Sequence, residues 1–168
     1  MAASYAEENN PQEDERLLKT AYIYNFAKFT RWPEQFFPQP DSPLNLCTMG
    51  QDDLVDELKN LQDKIIKGHP LSVSSIRKAS EAAAKCQVIY IAQSEKNRYQ
   101  RILRAVRNRP VLTLSEIASF ASNGGIIQFY RKKGQMRLII NLNATHRAGL
   151  EISSRLLILA KIIGGKDS

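Results

Sequence analysis

The sequence is poor in the residues on which most catalytic and metal centres depend. Its 168 residues include two cysteines, two histidines and one tryptophan, which is too few for a disulfide-dense scaffold or a multi-ligand metal cluster. No apolar run approaches the ~20 residues of a membrane-spanning helix, so we expect that the chain does not cross a bilayer. The acidic, polar N-terminal segment is the reverse of a signal peptide and suits the start of a mature domain.

What is present describes one ordinary globular domain. Apolar residues make up 43% of the chain and charged residues 24%, a typical globular composition. The net charge is +7, but the first 15 residues hold five acids and no base, so the remainder is strongly basic. A basic surface suits phosphates, anionic lipids or an acidic partner. A solvated surface without a dedicated partner is an equally good interpretation of charge alone.

We divide the chain into a flexible acidic N-terminus, residues 1–12, and a single domain, residues 13–165. The domain opens with a predicted helix over residues 13–31, where apolar side chains recur every three or four positions. Pro33 ends this helix. Four prolines between residues 33 and 43 then predict an extended connector, because proline fits neither a helix interior nor a central strand.

Strands and helices alternate through the middle of the chain. Strands are predicted over residues 44–49, 71–76, 86–92 and 111–114, and helices over residues 52–65 and 94–108, with a short helix capped by Ser115. Gly68, His69 and Pro70 predict a turn. This alternation predicts an α/β fold with a mainly parallel sheet, right-handed crossovers and flanking helices.

The last third of the chain has a different pattern. Residues 125–130 and 135–141 predict an antiparallel hairpin, because residues 131–134 end in a glycine that suits the turn. Residues 143–163 then predict a long C-terminal helix, which Gly164 and Gly165 would end.

No motif predicts an enzyme, a metal site or a cofactor. His69 and His146 each lack a second ligand at metal spacing, and neither glycine-rich phosphate-binding pattern occurs. An acidic group follows the first predicted strand of the sheet. It could form a pocket like that of a receiver domain, but a solvated helix N-terminus explains it as well. Its members are Asp52, Asp53, Asp56 and Glu57.

The predicted helix over residues 94–108 carries the densest basic cluster of the chain. Its cations cover the whole outer half of the helix rather than one narrow stripe. They could form a solvated face, a surface for a partner or an anionic lipid, or a nucleic-acid face. The last is not expected, because no aromatic stacking platform accompanies the cluster. The cations are Lys96, Arg98, Arg101, Arg104 and Arg107, of which Arg98 and Arg101 are our candidates for partner contact.

The predicted C-terminal helix has two apolar stripes. One stripe would pack on the sheet, and the other would cover a second element or form a homodimer or partner interface. We name Leu156, Leu159 and Ile163 as candidates for that interface.

The two cysteines lie in predicted strands. In a parallel sheet ordered 2-1-3, Cys47 in the first strand and Cys86 in the third would be on neighbouring strands about 4.8 Å apart, within reach of a disulfide. Two buried free thiols remain an equally open alternative. Pairing would point to an oxidising compartment.

Five segments together resemble one family. They are KTAYIYNFAKFTRWPEQF, PLNLCTMG, KCQVIYIAQSE, RPVLTLSEIASFASNGGIIQF and INLNATHRAGLEISSRLLILAKII. Their order and spacing over residues 19–163 resemble the YfiR-type domain of bacterial periplasmic regulators. The resemblance implies a small non-catalytic α/β protein in the periplasm, and it implies a disulfide between Cys47 and Cys86. A second cysteine pair known in the family has no counterpart within residues 121–128.

The resemblance also implies partners. Such a protein would hold down a membrane diguanylate cyclase of the YfiN type by binding its sensor domain, and so lower cyclic-di-GMP and biofilm formation. A YfiB-like lipoprotein would release it, and a homodimer is expected. The alternative is a periplasmic sensor that binds a small molecule at the strand ends near Gly50 and Gln93.

Overall fold

The computed structural model describes residues 10–165. The first helix, α1 (Pro11–Lys28), begins two residues before the predicted start. Asn10 caps it, because its side-chain oxygen accepts hydrogen bonds from the backbone N–H groups of Gln12 and Glu13. Of the predicted flexible segment 1–12, residues 1–9 lie outside the described residues, and residues 11 and 12 belong to α1.

Ten strands and six helices follow one another along the described residues. After α1 come β1 (Thr30–Arg31), β2 (Leu44–Met49), α2 (Asp53–Leu58), β3 (Ile65–Ile66), β4 (His69–Ile76), α3 (Ala79–Lys85), β5 (Val88–Ile91) and α4 (Tyr99–Val106). The second half contains β6 (Leu112–Ser115), β7 (Ile127–Lys132), β8 (Gln135–Asn141), α5 (Leu142–Arg147), β9 (Glu151–Ile152), α6 (Ser154–Leu157) and β10 (Lys161–Ile163). Single turns of 3-10 helix occupy Glu34–Phe36, Lys59–Leu61 and Gln93–Glu95.

Eight strands form one sheet in the order β10-β8-β7-β6-β5-β2-β4-β3. The neighbours from β4 through β7 are all parallel, and β7 and β8 form an antiparallel hairpin. The predicted fold class, a mainly parallel sheet with flanking helices and a C-terminal hairpin, is confirmed. The 2-1-3 order is also confirmed, since β2 lies between β4 and β5.

Helices cover the two faces of the sheet and create two apolar cores. Alternate side chains of β5 show the division: Val88 and Tyr90 face the core that contains α1 and α2, whereas Ile89 and Ile91 face the core that contains α3 and α4. All four side chains are fully buried. This layering places the loops after β2, β5 and β6 at one edge of the sheet, where parallel strands present their carboxyl ends.

The predicted helices of the middle region are longer than the observed ones. The helix predicted over residues 52–65 ends at Leu58, and its last residue belongs to β3. The helix predicted over residues 94–108 is reduced to α4, because a 3-10 turn and an irregular segment precede Tyr99. Residues 117–124 form turns instead of the predicted short helix, and His69 and Pro70 belong to β4.

The predicted long C-terminal helix over residues 143–163 is wrong. That segment contains most of α5, then β9, α6 and β10. Gly149, with φ +73°, reverses the chain after α5. Glu151 and Ile152 then pair with β1, and β10 pairs in parallel with β8. The apolar side chains of this segment therefore fill several places instead of two helical stripes.

Candidate functional site

Both cysteines of the chain form a disulfide beneath α3 and α4. Cys47 lies in β2 and Cys86 directly follows α3, and their Cα atoms are 5.8 Å apart. Neither residue is more than 5% exposed. The pairing implied by the family resemblance is present, and the described residues contain no free thiol. The bond joins β2 to the short segment between α3 and β5, within one of the two cores.

A polar network occupies the carboxyl edge of the sheet. The hydroxyl of Tyr90 in β5 donates a hydrogen bond to Asp52 Oδ2 at 2.8 Å and lies 3.4 Å from Glu116 Oε2. Asp52 also caps α2, because its Oδ1 accepts from the backbone N–H of Val55 at 2.9 Å. Lys19 extends from α1 to the same place, where its Nζ binds Glu116. The network therefore joins α1, α2 and β5 to the loop after β6.

The network continues along α1 as an alternating series of charges. Lys19 Nζ lies 3.3 Å from Glu15 Oε1, and Arg131 of β7 binds the other oxygen of Glu15. The side chains of Lys19 and Glu15 are only 10% and 13% exposed. Burial, followed by the negative charges of Asp52 and Glu116, raises the pKa of Tyr90. Since each carboxylate faces a donor or a cation, this arrangement fastens α1 to the sheet.

The four acids predicted as a pocket or a helix N-terminus do not converge. Asp52 takes part in the network, while Asp53 is exposed and lies 3.7 Å from Arg16. Asp56 is exposed too, and a hydrogen bond from Lys59 lowers its pKa. These acids therefore form a helix N-terminus with local ion pairs, which is the simpler of the two predicted interpretations.

The predicted ligand crevice at the strand ends is closed at Gly50. This residue has φ +87°, and a Cβ placed on it would lie 2.5 Å from Ser94 Oγ. Ser94 Oγ also accepts a hydrogen bond from the backbone N–H of Gln51 at 3.0 Å. Gln93, the other predicted crevice residue, donates its side-chain amide to the Glu116 carbonyl at 3.0 Å. The loops after β2 and β5 are thus packed directly against each other.

The predicted basic cluster divides into paired and unpaired cations. Arg98 lies 2.7 Å from Glu95, whereas Arg101 is exposed and has no carboxylate within 4 Å in the described part of the chain. Arg104 and Arg107 lie at the end of α4 and line a cavity of about 340 Å³ together with Arg147 of α5. The sequence pattern predicts a basic helix that carries Arg104 and Arg107, but it does not connect them with Arg147.

The three apolar candidates for partner contact lie in different environments. Leu156 is 5% exposed and packs in the core, whereas Leu159 is 55% exposed. Ile163 is half-buried in β10, the edge strand of the sheet. The exposed apolar residues beside Leu159 are Ile158, which is 81% exposed, and Ile162, which is 38% exposed. Exposed apolar side chains are therefore concentrated in residues 158–162, and Leu159 is the one candidate of the three that lies in this range.

The histidines occupy separate places. His69 Nδ1 lies 2.7 Å from the Ser42 carbonyl oxygen, and its ring stacks on Phe37 with centroids 4.1 Å apart. His146 is exposed near the end of α5. Within residues 10–165, no three His, Cys, Asp or Glu side chains come close enough together to hold a metal ion. No helix in that range is long and apolar enough to cross a membrane.

A comparison with known protein families gives a family for this chain. A family model described as YfiR/HmsC-like matches residues 16–161, from within α1 to the first residue of β10. The chain belongs to the YfiR/HmsC-like family.

The YfiR/HmsC-like chain also has a structural neighbour. It is similar to the crystal structure of a conserved domain protein from Vibrio cholerae O1 biovar El Tor str. N16961, with a TM-score of 0.54 and 14% sequence identity. The similarity covers 85% of this chain and 59% of the Vibrio chain. At this identity it shows the fold alone.

The network around Tyr90 is not predicted by the sequence pattern. One signal was available, because a tyrosine within the continuous apolar segment CQVIYIA brings a hydroxyl into a buried strand, and a buried hydroxyl needs a partner. The partners themselves, Glu116 and Lys19, are distant in sequence and come together only through the order of the strands.

Proposed function

We propose that this chain is a periplasmic negative regulator that binds the sensor domain of a membrane diguanylate cyclase and lowers cyclic-di-GMP and biofilm formation. The observation that carries the proposal is the family match over residues 16–161. In this proposal the cyclase partner is YfiN-like, and a YfiB-like lipoprotein releases the repressor.

The disulfide supports the proposed compartment. Structural disulfides persist in oxidising environments such as the periplasm and are rare in the cytosol. Here both cysteines of the chain form one buried bond between β2 and the segment that joins α3 to β5. Such a bond is expected of a protein that folds after export.

Repression of this kind requires only binding. If the regulator binds the inactive state of the cyclase and not the active state, a differential affinity of about 5.5 kcal/mol moves the cyclase from 99:1 active to 1:99. No chemical step is needed. The sensor domain supplies the two states, and the regulator supplies a surface that fits one of them.

The apolar patch beside β10 is the proposed contact surface. We define the C-terminal patch as Ile158, Leu159 and Ile162, which are exposed in the described structure. Ile162 belongs to β10, which ends the eight-stranded sheet of the described structure, and an open strand edge can add a strand from another chain. A homodimer or the cyclase sensor domain would cover this patch. Arg98 and Arg101 remain proposed as a polar part of the partner surface.

Cellular cyclic-di-GMP tests the proposal. In the native host, the gene is deleted and then complemented with two versions, one carrying an export signal and one without it. We expect cyclic-di-GMP to rise on deletion and to return to its original level only with the exported version. Unchanged cyclic-di-GMP in the deletion strain, or rescue by the unexported version, would contradict the proposal.

The second candidate function is a small-molecule sensor. The crevice between Gly50 and Gln93 does not favour it, because Gly50 and Ser94 are in tight contact there. A sensor function therefore needs a different cavity of this fold.

A further inference from the structure

We propose that the cavity between α4 and α5 binds a small molecule that carries a phosphate group. The cavity measures about 340 Å³ and lies where the ends of both helices approach the start of β6. Three arginines from two different helical segments line it: Arg104, Arg107 and Arg147. This inference is independent of cyclase repression, so either proposal can fail without the other.

The charge of the cavity is entirely of one sign. No aspartate or glutamate lines it, and none of the three arginines has a carboxylate within 4 Å among residues 10–165. The described structure pairs other cations, such as Arg98 with Glu95 and Lys19 with Glu116. Three like charges around one cavity repel each other, and a bound anion would offset that repulsion.

The rest of the lining fits an anion attached to a small apolar body. Val106, Val111 and Ile126 are buried apolar residues that line the cavity beside the arginines. Asn108 and Asn123 add polar side chains to the lining. The volume lies at the lower end of the range for small-molecule sites, which are mostly apolar with a few polar groups that fix the ligand.

The arginines favour phosphate as the anionic group. A guanidinium presents a planar set of N–H donors that matches phosphate oxygens in pairs, and it stays charged at every physiological pH. A phosphate monoester carries close to two negative charges near neutral pH. It can therefore engage more than one of the three arginines at once. A free phosphate ester and the head group of an anionic lipid share this chemistry.

A simpler role for these arginines is stabilisation of helix ends. Arg104 lies in the last turn of α4 and Arg147 in the last turn of α5, where cations interact favourably with the helix dipole. That role acts on each helix separately and does not require a shared cavity. It changes stability but not ligand binding, so the two roles have different readouts.

Two probes and three variants of the full chain test the inference. Glycerol 3-phosphate binding is measured by titration calorimetry, and vesicle binding by co-sedimentation with phosphatidylcholine vesicles that contain or lack phosphatidylglycerol. The variants are Arg107→Gln, Arg147→Gln and the control Arg137→Gln, which removes the same charge from an exposed position of β8 outside the cavity. Melting temperatures are recorded for each.

We expect saturable binding to at least one probe, weakened about tenfold or more by Arg107→Gln and Arg147→Gln and little changed by Arg137→Gln. Binding of glycerol 3-phosphate identifies a free ester as the ligand, and binding of phosphatidylglycerol vesicles alone identifies a lipid head group. If Arg147→Gln fails to fold, Arg147→Lys replaces it, and weaker binding is expected because the charge stays while the paired donors are lost.

Three results would overturn the inference. The first is the absence of saturable binding to either probe. The second is an equal loss of binding in Arg137→Gln, which would mean attraction to general surface charge. The third is a lowered melting temperature in the cavity variants with unchanged binding, which would leave stabilisation of the helix ends as their role.

Discussion

Tyr90 in β5 donates its phenolic hydrogen at 2.8 Å to Asp52, which lies just beyond the end of the neighbouring parallel strand β2. The tyrosine is fully buried in β5, and the aspartate begins α2. One hydrogen bond thus connects the centre of the sheet to a helix on its surface, and the same aspartate caps that helix. The first prediction concerns this bond.

Tyr90→Phe should lower the free energy of unfolding by about 2 kcal/mol, because the variant leaves a charged carboxylate without its buried donor. Denaturant unfolding measures the loss. Tyr130→Phe is the control, since Tyr130 is half-buried and its hydroxyl has no hydrogen bond to the described residues. That control should stay within about 0.5 kcal/mol, and an equal loss in both variants would contradict the prediction.

The wild type and Tyr90→Phe should also differ in how their stability changes at alkaline pH. The folded state raises the pKa of Tyr90 through burial and the nearby carboxylates, while an unfolded tyrosine titrates near 10. Below pH 10 this contribution to stability is complete. Above pH 10 the unfolded chain loses a proton that the folded chain keeps, so the free energy of unfolding falls by about 1.4 kcal/mol per pH unit. Tyr90→Phe should show a shallower decline by that amount.

Lys19→Met should destabilise the protein by about 3 kcal/mol, because it leaves Glu15 and Glu116 without their shared ammonium in a largely buried place. Lys59→Met is the matched control. Lys59 pairs with Asp56 on the surface, where the two side chains are 65% and 61% exposed, and its loss should cost less than about 1 kcal/mol. Urea unfolding of both variants tests the difference, and equal midpoints would refute a stabilising role for Lys19.

Removal of the disulfide by the double substitution Cys47→Ala and Cys86→Ala should cost about 4 kcal/mol, given the 39-residue separation of the cysteines. Unfolding is measured with and without dithiothreitol. The reductant should lower the free energy of unfolding of the wild type and leave that of the double variant unchanged. If the variant does not fold, reductant titration of the wild type supplies the same measurement. A wild type that is indifferent to reduction would show that the bond adds no stability.

Leu159→Asp should weaken association through the proposed C-terminal patch at least tenfold while it changes the free energy of unfolding by no more than about 0.5 kcal/mol. The side chain is 55% exposed, so the core keeps its packing. Sedimentation velocity measures self-association, and a pull-down measures binding to the cyclase sensor domain. Leu17→Asp on α1, at 50% exposure, is the control. Unaltered association in Leu159→Asp would exclude the patch.

The parallel sheet was predictable because its signals are local. Each of its central strands is a short apolar segment bounded by turns or helices, and alternation of that kind restricts the topology to a few choices. The prediction lacks α3, although its alanine-rich segment has a high helix propensity. The carboxylate of Glu81 accepts a hydrogen bond from the backbone N–H of Lys78 and helps to start that helix.

The C-terminal prediction failed because long-range pairing outweighed local pattern. Residues 143–163 contain enough apolar positions for a helix, but β9 and β10 gain backbone partners in β1 and β8 that no local period reveals. Gly149 is a helix-stop signal inside this segment, but the prediction of a long helix followed the apolar periodicity on both sides of it. The arginine cavity could not be predicted either, because it depends on long-range structure. Arg107 and Arg147 line one cavity only in the folded chain.

The pairing of Thr30 with Ile152 also sets an order of events during folding. The backbone N–H of Ser153 donates to the carbonyl of Phe29 at 2.9 Å, so the segment just after α1 is held by residues 151–153, which are far from it in sequence. Contacts between distant parts of a chain form late, because loop closure must precede them. A ribosome or a translocon delivers the N-terminal segment first. The end of α1 therefore has to wait until residues 151–153 have emerged before its backbone partners exist, and a truncation before Ile152 would leave that end without them.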